Sequence, residues 1–208
     1  MYVPTHFAQT ELEAMQRLMA QHPLGTLVTH GPAGLDANPI PFLFDAVADR
    51  PGLLRAHVAR ANPLWQEVKD GDAVLVVFRA HDAYISPNWY PSKHEHHRQV
   101  PTWNYQVLNV HGRIRVVDDE KFVRGVVGRL TRVHETRSNP EAPWHMADAP
   151  RDYIDPLLQA IVGIEIEIER MVGKDKLGQN REARDRLQAA EELARRGDLA
   201  ISQAMRAV

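Results

Sequence analysis

Apolar residues first recur at helical spacing. Leu12, Met15, Leu18 and Met19 share one face, behind a capping box of Thr10 and Glu13, and His22-Pro23 ends the helix. The period then shortens to two. Leu24 to Thr29 reads as a buried strand and His30-Gly31-Pro32-Ala33-Gly34 as a turn. Leu35 to Phe44 reads as one strand, placed at an edge or bulge by Pro39 and Pro41. Leu53 to Val58 is a third strand, and Asn62-Pro63 opens a short helix carrying Leu64, Trp65 and Val68. Ala73 to Phe78 is the strongest β run, continued after a turn by Ala83-Tyr84-Ile85. From Asn104 to Val117, Val107, Asn109 and His111 alternate with Leu108, Val110 and Gly112.

Asp118-Asp119 starts a helix whose apolar face is Phe122, Val123, Val126, Val127 and Leu130, and Asp155-Pro156 begins a second, short one. Ile164, Ile166 and Ile168 alternate with Glu165, Glu167 and Glu169, a strand with one wet face. Arg181 to Arg196 is a charged helix with Leu187, Ala190, Leu193 and Ala194 as its stripe; Gly197 ends it and Asp198 caps a last short helix. Six or seven strands with turn-rich connections and peripheral helices predict a small antiparallel barrel of the α+β class. No internal repeat or low-complexity segment interrupts it.

Composition narrows the chemistry. The 208 residues carry a net charge of −2, which gives no global attraction for nucleic acid. Cysteine is absent, so disulfides, thiolate catalysis, iron–sulfur clusters and cysteine-ligated zinc are excluded. That absence fits a reducing cytosol. Met1-Tyr2-Val3-Pro4 lacks the basic and apolar regions of a signal peptide, and the apolar runs are too short for a membrane span.

The densest chemistry lies in Pro87-Asn88-Trp89-Tyr90-Pro91-Ser92-Lys93 and Val100-Pro101-Thr102-Trp103-Asn104-Tyr105. Four aromatics, three prolines and a lysine there form a loop between strands. Rings beside hydroxyl, amide and ammonium groups suit a flat heteroaromatic ligand with a charged tail; the alternative is a loop pinned by its own aromatic anchors. His57-Val58-Ala59-Arg60-Ala61-Asn62-Pro63 runs from a strand end into a helix start. There, free amides and a guanidinium suit an anion, or Arg60 is a surface arginine beside an asparagine cap. Lys174 to Arg181 offers lysines, amides and an arginine around a glycine, for an anion or simply as a solvated loop.

His94-Glu95-His96-His97 has metal-binding side chains but reads as a hydrophilic loop tip without a distant partner, so no metal site is expected. There is no G-x-S-x-G, P-loop or G-x-G-x-x-G, and no catalytic residue is assigned. The arginines of 181–196 are interleaved with Glu182, Asp185, Glu191 and Glu192, as on a salt-bridged solvent face.

Together, several stretches resemble the PaiB family of FMN-binding transcriptional regulators. They are Met1–Phe7, His22–Val28, Ala37–Phe42, His57–Pro63, Ser86–Lys93, Val100–Tyr105 and Lys176–Arg181. The resemblance covers nearly the whole chain, and the aromatic loop is its most specific part; the His94–Arg98 stretch departs from it. It implies a split barrel like those of flavin reductases and pyridoxamine-phosphate oxidase, forming a cytoplasmic homodimer with FMN in the clefts between subunits.

On that resemblance Arg60 with Asn62 holds the phosphate, and His57, Val58 and Ala59 accompany them. Asn38, Pro39 and Ile40 line the cleft. Lys93, Thr102, Trp103 and Asn104, with Lys176, Gln179 and Asn180, complete it. Leu27, Phe42, Phe44, Val74, Val76, Phe78, Leu108, Val110 and Ile166 are expected to face the barrel interior. Residues 1–180 are expected to form the flavin domain and 181–208 a helical extension packed on it.

The implied function is transcriptional regulation by sensing flavin or metabolic state, through DNA or a partner protein, with enzymatic activity left open. An FMN-dependent oxidoreductase using a nicotinamide cofactor is the alternative. A haem-binding split barrel, using His57, His94 or His111, is a weaker one.

Overall fold

The computed structural model describes residues 1–208 and is α+β. Its strands are β1 (Ala8–Gln9), β2 (Leu24–Gly31), β3 (Gly34–Pro41), β4 (Leu43–Val47), β5 (Arg50–Ala59), β6 (Ala73–Ile85), β7 (Thr102–Val117) and β8 (Ile161–Lys176). Its helices are α1 (Leu12–Gln21), α2 (Leu64–Glu67), α3 (Pro91–His96), α4 (Glu120–Ser138), α5 (Arg151–Gln159), α6 (Ala183–Arg195) and α7 (Leu199–Arg206). No helix is long and apolar enough to cross a membrane.

The chain divides into two compact units. The larger is Gln16–Phe78 with Val110–Met171; the smaller is Met1–Met15, Arg79–Asn109 and Val172–Val208. Strands β6, β7 and β8 each contribute residues to both. The strand order is β3-β2-β6-β7-β8-β5-β4, with β1 added on β8. Antiparallel pairing joins β2 to β3 and β6, β5 to β4 and β8, and β1 to β8.

In the larger unit β3, at one end of that order, also packs beside β5, so the sheet curls into a split barrel. Alternation explains its core. Leu54 pairs with Ile166 and Ala56 with Ile164, all fully buried. Burial of each such aliphatic side chain contributes roughly 1.5–3 kcal/mol. Of the expected interior residues, Leu27, Phe42, Val74, Val76, Phe78, Leu108, Val110 and Ile166 are buried, and Phe44 is half-buried.

Helix α4 begins where Asp119 Oδ1 accepts from Phe122 N at 2.8 Å. It lays Val126 and Leu130 against Leu43, and Val123 against Ile154 and Leu158 of α5. The glutamate face of β8 is not merely wet. Glu165 accepts from Arg55 and Arg115, Glu167 from Arg50 and Glu169 from Arg113, at 2.7–2.9 Å.

In the smaller unit α6 and α7 cover Ala83, Ile85, Tyr90 and Leu177 with Ala189, Ala190, Leu193, Ile201 and Met205. Gly197, at φ 92°, ends α6: its amide bonds Ala194 O and that of Asp198 bonds Leu193 O, a Schellman closure.

Several expectations are corrected. The stretch Leu35 to Phe44 is two strands, broken at Phe42, whose amide bonds Pro23 O at 2.9 Å instead of continuing the ladder. No turn divides 73–85; the polar residues Arg79 to Asp82 continue β6. The supposed aromatic loop holds a 3-10 turn (Pro87–Trp89) and α3, with Pro91 in its first turn, and Thr102 already belongs to β7. Helix α5 starts at Arg151 and contains Pro156 rather than starting at it. On α6 Leu187 is exposed and Asp185 is buried. There are eight strands, one more than the upper expectation.

Candidate functional site

The expected ligand residues fall into two sets, one in each unit. In the larger unit, β5 ends at Ala59 and the chain turns into α2. Asn62 Oδ1 caps Leu64 N at 2.9 Å, and its Nδ2 donates to Asn38 Oδ1 at 2.9 Å, which ties the turn to β3. Ile40 and Val58 are core residues, whereas Pro39 and Ala59 are exposed.

Arg60 is fully engaged by its own unit. Its Nη1 and Nη2 hold Asp118 at 2.8 and 2.6 Å, Nε donates to Gln159 O at 2.7 Å, and its guanidinium lies 5.6 Å from the Trp65 ring. Asp118 accordingly titrates below the usual carboxylate range, chiefly through these hydrogen bonds. The amides of Arg60 and Asn62 are also used, by Ala160 O and Ala59 O. A cavity of about 350 Å³ beside Arg60 is lined by Asp118, Asp119 and Glu120, an acidic setting for an anion. An incoming phosphate would have to displace Asp118. His57 stands apart, because its Nδ1 is buried without a partner and burial lowers its pKa, which keeps the ring neutral at pH 7.

In the smaller unit the end of β8 meets the start of β7. Lys176 Nζ donates to Thr102 Oγ1 and to Trp103 O, and lies 6.0 Å from the Tyr105 ring. Its pKa is lowered, first by burial and then by the charges of Lys174 and Arg181. Trp103 is 54% exposed and its ring meets Tyr84 edge-on at 6.0 Å, while its backbone carbonyl accepts from the Lys176 ammonium. Asn104 is buried and donates to Met205 Sδ at 3.4 Å.

Gln179 shapes the turn after β8: Oε1 accepts from Leu177 N at 2.8 Å and Nε2 donates to Asp175 O at 2.7 Å. Gly178 sits there at φ 93°, where a side chain would be strained and would press on Arg186, whose Nε is itself buried without a partner. Asn180 is exposed, and Lys93 is half-buried on α3.

Lys174, named with the 174–181 stretch but not among the expected cofactor contacts, is 8% exposed; its ammonium donates to Tyr2 O at 3.2 Å and lies 5.3 Å from the Tyr105 ring. The signal was available, since Lys174 and Lys176 are two apart on one strand and so share a face. The His94–His97 stretch is exposed, and Glu95 there pairs with Arg184 at 2.5 and 2.7 Å. No group of three or more histidine, aspartate or glutamate side chains is placed to hold a metal.

The donors present fit a flavin mononucleotide. In the smaller unit an exposed tryptophan suits the isoalloxazine ring, and ammonium groups without a carboxylate partner suit a phosphate; each unit also holds a buried polar atom without a partner, His57 Nδ1 in the larger and Arg186 Nε in the smaller.

Comparison with known proteins agrees. Residues 1–170 match the family described as "Putative FMN-binding domain". The "Protease synthase and sporulation protein PAI 2" of Bacillus subtilis is 30% identical, over 93% of this chain and 89% of that protein. An uncharacterized protein of Emericella nidulans is 32% identical, over 89% of this chain and 87% of its own. The FAD and heme binding protein of Mycobacterium smegmatis shares the fold at a TM-score of 0.60 and 19% identity, over 88% of this chain and 79% of that one. The chain therefore belongs to the FMN-binding domain family of the PaiB type, and its cofactor is FMN.

Proposed function

We propose that this protein is a cytoplasmic, homodimeric regulator of the PaiB type that senses flavin or metabolic state through bound FMN. The observation that carries the reading is the exposed Trp103, whose backbone carbonyl accepts from the Lys176 ammonium. A flat ring and an anion are thereby offered adjacent partners. When bound, FMN supplies reversible two-electron chemistry. The chain's part is to orient and charge-match it: in the smaller unit Trp103 stacks, Thr102 offers a polar edge, Lys176 supplies positive charge and Asn180 is a further polar contact, while buried Asn104 acts by holding Met205. In the larger unit His57, Asn38 and Asn62 are a separate set of candidate polar contacts, with Pro39, Ile40, Val58 and Ala59 beside them. Gln179 acts by holding the 175–179 turn. Lys93 stands on α3, which packs on α6, and so connects the aromatic segment to the C-terminal helices.

Regulation through a partner protein fits this surface better than direct DNA reading. Three of the helical arginines lie on carboxylates, Arg184 on Glu95 and Glu182, and Arg195 and Arg196 on Glu192.

The second reading is an FMN-dependent oxidoreductase taking hydride from a nicotinamide cofactor. The exposed Trp103 favours it, since a second planar reactant could approach there. Titrating the purified protein with FMN by visible absorbance and fluorescence tests both. Saturable binding, scattering profiles that differ between oxidised and reduced flavin, and no NADH oxidation are the results expected of a regulator. NADH turnover with unchanged scattering selects the enzyme. A Soret band on haemin titration without flavin binding would replace both.

A further inference from the structure

Where β6 ends, the chain turns at Pro87–Trp89, and α6 packs on that turn, all within the smaller unit. A surface cavity of about 600 Å³ lies between them. Asp82 and Tyr84 line it from β6 and Trp89 from the turn. Leu193 and Arg196 line it from the end of α6, and Asp198 from the approach to α7.

These side chains fall into two kinds. Leu193 is buried, Trp89 packs on the same core and Tyr84 is 47% exposed, so the cavity offers apolar and aromatic surface. The rest is charged, with two carboxylates to one guanidinium. Asp82 meets Arg79 at 2.6 Å in an exposed pair, a weak contact that exchanges readily. Asp198 stands before α7 without a side-chain capping bond.

Arg196 is committed elsewhere. Its Nε donates to Glu192 Oε1 at 2.8 Å, and its guanidinium lies 4.8 Å from the Trp89 ring. The chain thus already sets a cation of its own against one aromatic wall, the contact that the negative face of an indole favours. The cavities beside Arg60 and Arg124 have carboxylates or arginines but no aromatic ring in their lining.

Going beyond the FMN reading, we propose that this cavity binds a small organic ammonium ion with an apolar body. Asp82 and Asp198 receive the ammonium group, and Tyr84, Trp89 and Leu193 pack against the body. Arg196 is the like charge that limits affinity. An organic anion is disfavoured, because the cation in the lining is held by Glu192 and faced by two carboxylates.

The experiment follows the indole N–H resonances of the full chain, with Trp89 assigned by its loss in Trp89→Phe. Three probes of one shape are titrated: phenethylammonium, 2-phenylethanol and phenylacetate. Phenethylammonium should move the Trp89 resonance saturably and leave Trp65 and Trp144, in the larger unit, unmoved. The alcohol should bind at least about tenfold more weakly, as for a lost charge-assisted hydrogen bond, and the anion more weakly still. Asp82→Asn combined with Asp198→Asn should weaken the ammonium by a similar factor; asparagine keeps the start of α7, since it caps helices as well as aspartate does. Arg196→Gln should bind the ammonium at least as tightly as the parent.

No movement of Trp89 up to about 10 mM amine overturns the proposal. Equal affinities for the three probes overturn it too, since they describe an apolar groove alone. So does phenylacetate binding that Arg196→Gln abolishes, or full ammonium affinity in the doubly substituted chain.

Discussion

Ser92 and Asp185 meet across 93 positions of sequence, the Ser92 hydroxyl donating to Oδ2 at 2.6 Å and its amide to Oδ1 at 3.0 Å. Both residues are almost fully buried, and Gln99 adds a longer third bond at 3.4 Å. This carboxylate fastens the aromatic segment to α6. Asp185→Ala strands a buried amide and hydroxyl. The expected loss is roughly 3 kcal/mol, a fall of about 6–12 °C in melting temperature. Calorimetry checks it. Ser92→Ala should lose less, because the amide bond survives.

Arg60→Ala should destabilise the larger unit by breaking its pair with Asp118. That pair is half-exposed, so the expected loss is small. Asp118→Ala should reproduce it, and the double variant should lose little more than either single one. Denaturant melts of the three variants form the cycle that measures this coupling.

Acid should weaken the fold in two successive ranges, first through a buried histidine and then through paired carboxylates. Burial holds the folded-state pKa of His57 below 6.5, so the unfolded chain binds that proton first. Stability is complete above 6.5 and declines as pH falls from there through the folded value. Asp45 acts at lower pH. Hydrogen bonds from Arg129, opposed by burial and aided by Arg55, hold it below 3.8. Its contribution is present above 3.8 and lost as pH falls through the folded value. Melting temperatures between pH 8 and 3 should therefore fall in two stages, with Asp45→Asn reducing the second, to which Asp118 and Glu165 also contribute. An NMR titration of the His57 ring should give an apparent pKa under 6.5.

Alkali should weaken FMN binding earlier than an ordinary lysine would allow. Lys176 titrates below 10.5, so its positive charge, and the affinity that depends on it, disappears as pH rises through that lowered value. An alkaline limb that Lys176→Met leaves unchanged would show that this ammonium does not contribute to FMN affinity.

Much of this was legible in the residues. Two-fold alternation located β5, β7 and β8, and Asp119, Asn62 and Gly197 marked helix boundaries with the expected bonds. What failed depended on distance. Asp185 sits among arginines and glutamates and reads as surface; its burial is set by Ser92, far away in sequence. Arg60 reads as free because Asp118 lies 58 residues downstream. Arg79 to Asp82 reads as a turn because four residues without a large apolar side chain look alike in a bend and in a strand passing between two compact units. The break at Phe42 was hidden because Phe42 keeps the apolar pattern while its amide leaves the ladder for Pro23 O.

Strand β8 sets the pace at which the molecule can form. It is the last strand in the chain, yet β1, β5 and β7 all pair with it, and Gln9 finds its partner Asp175 166 residues later. Long-range pairings lose loop entropy before they gain contacts, so refolding should fall toward the slower, millisecond-to-second end of the two-state range. Until Ile161–Lys176 docks, the edges of β5 and β7 that it covers remain unpaired and open to other chains. Crowded or hot cells would therefore meet this protein's greatest hazard during its assembly rather than in the finished fold.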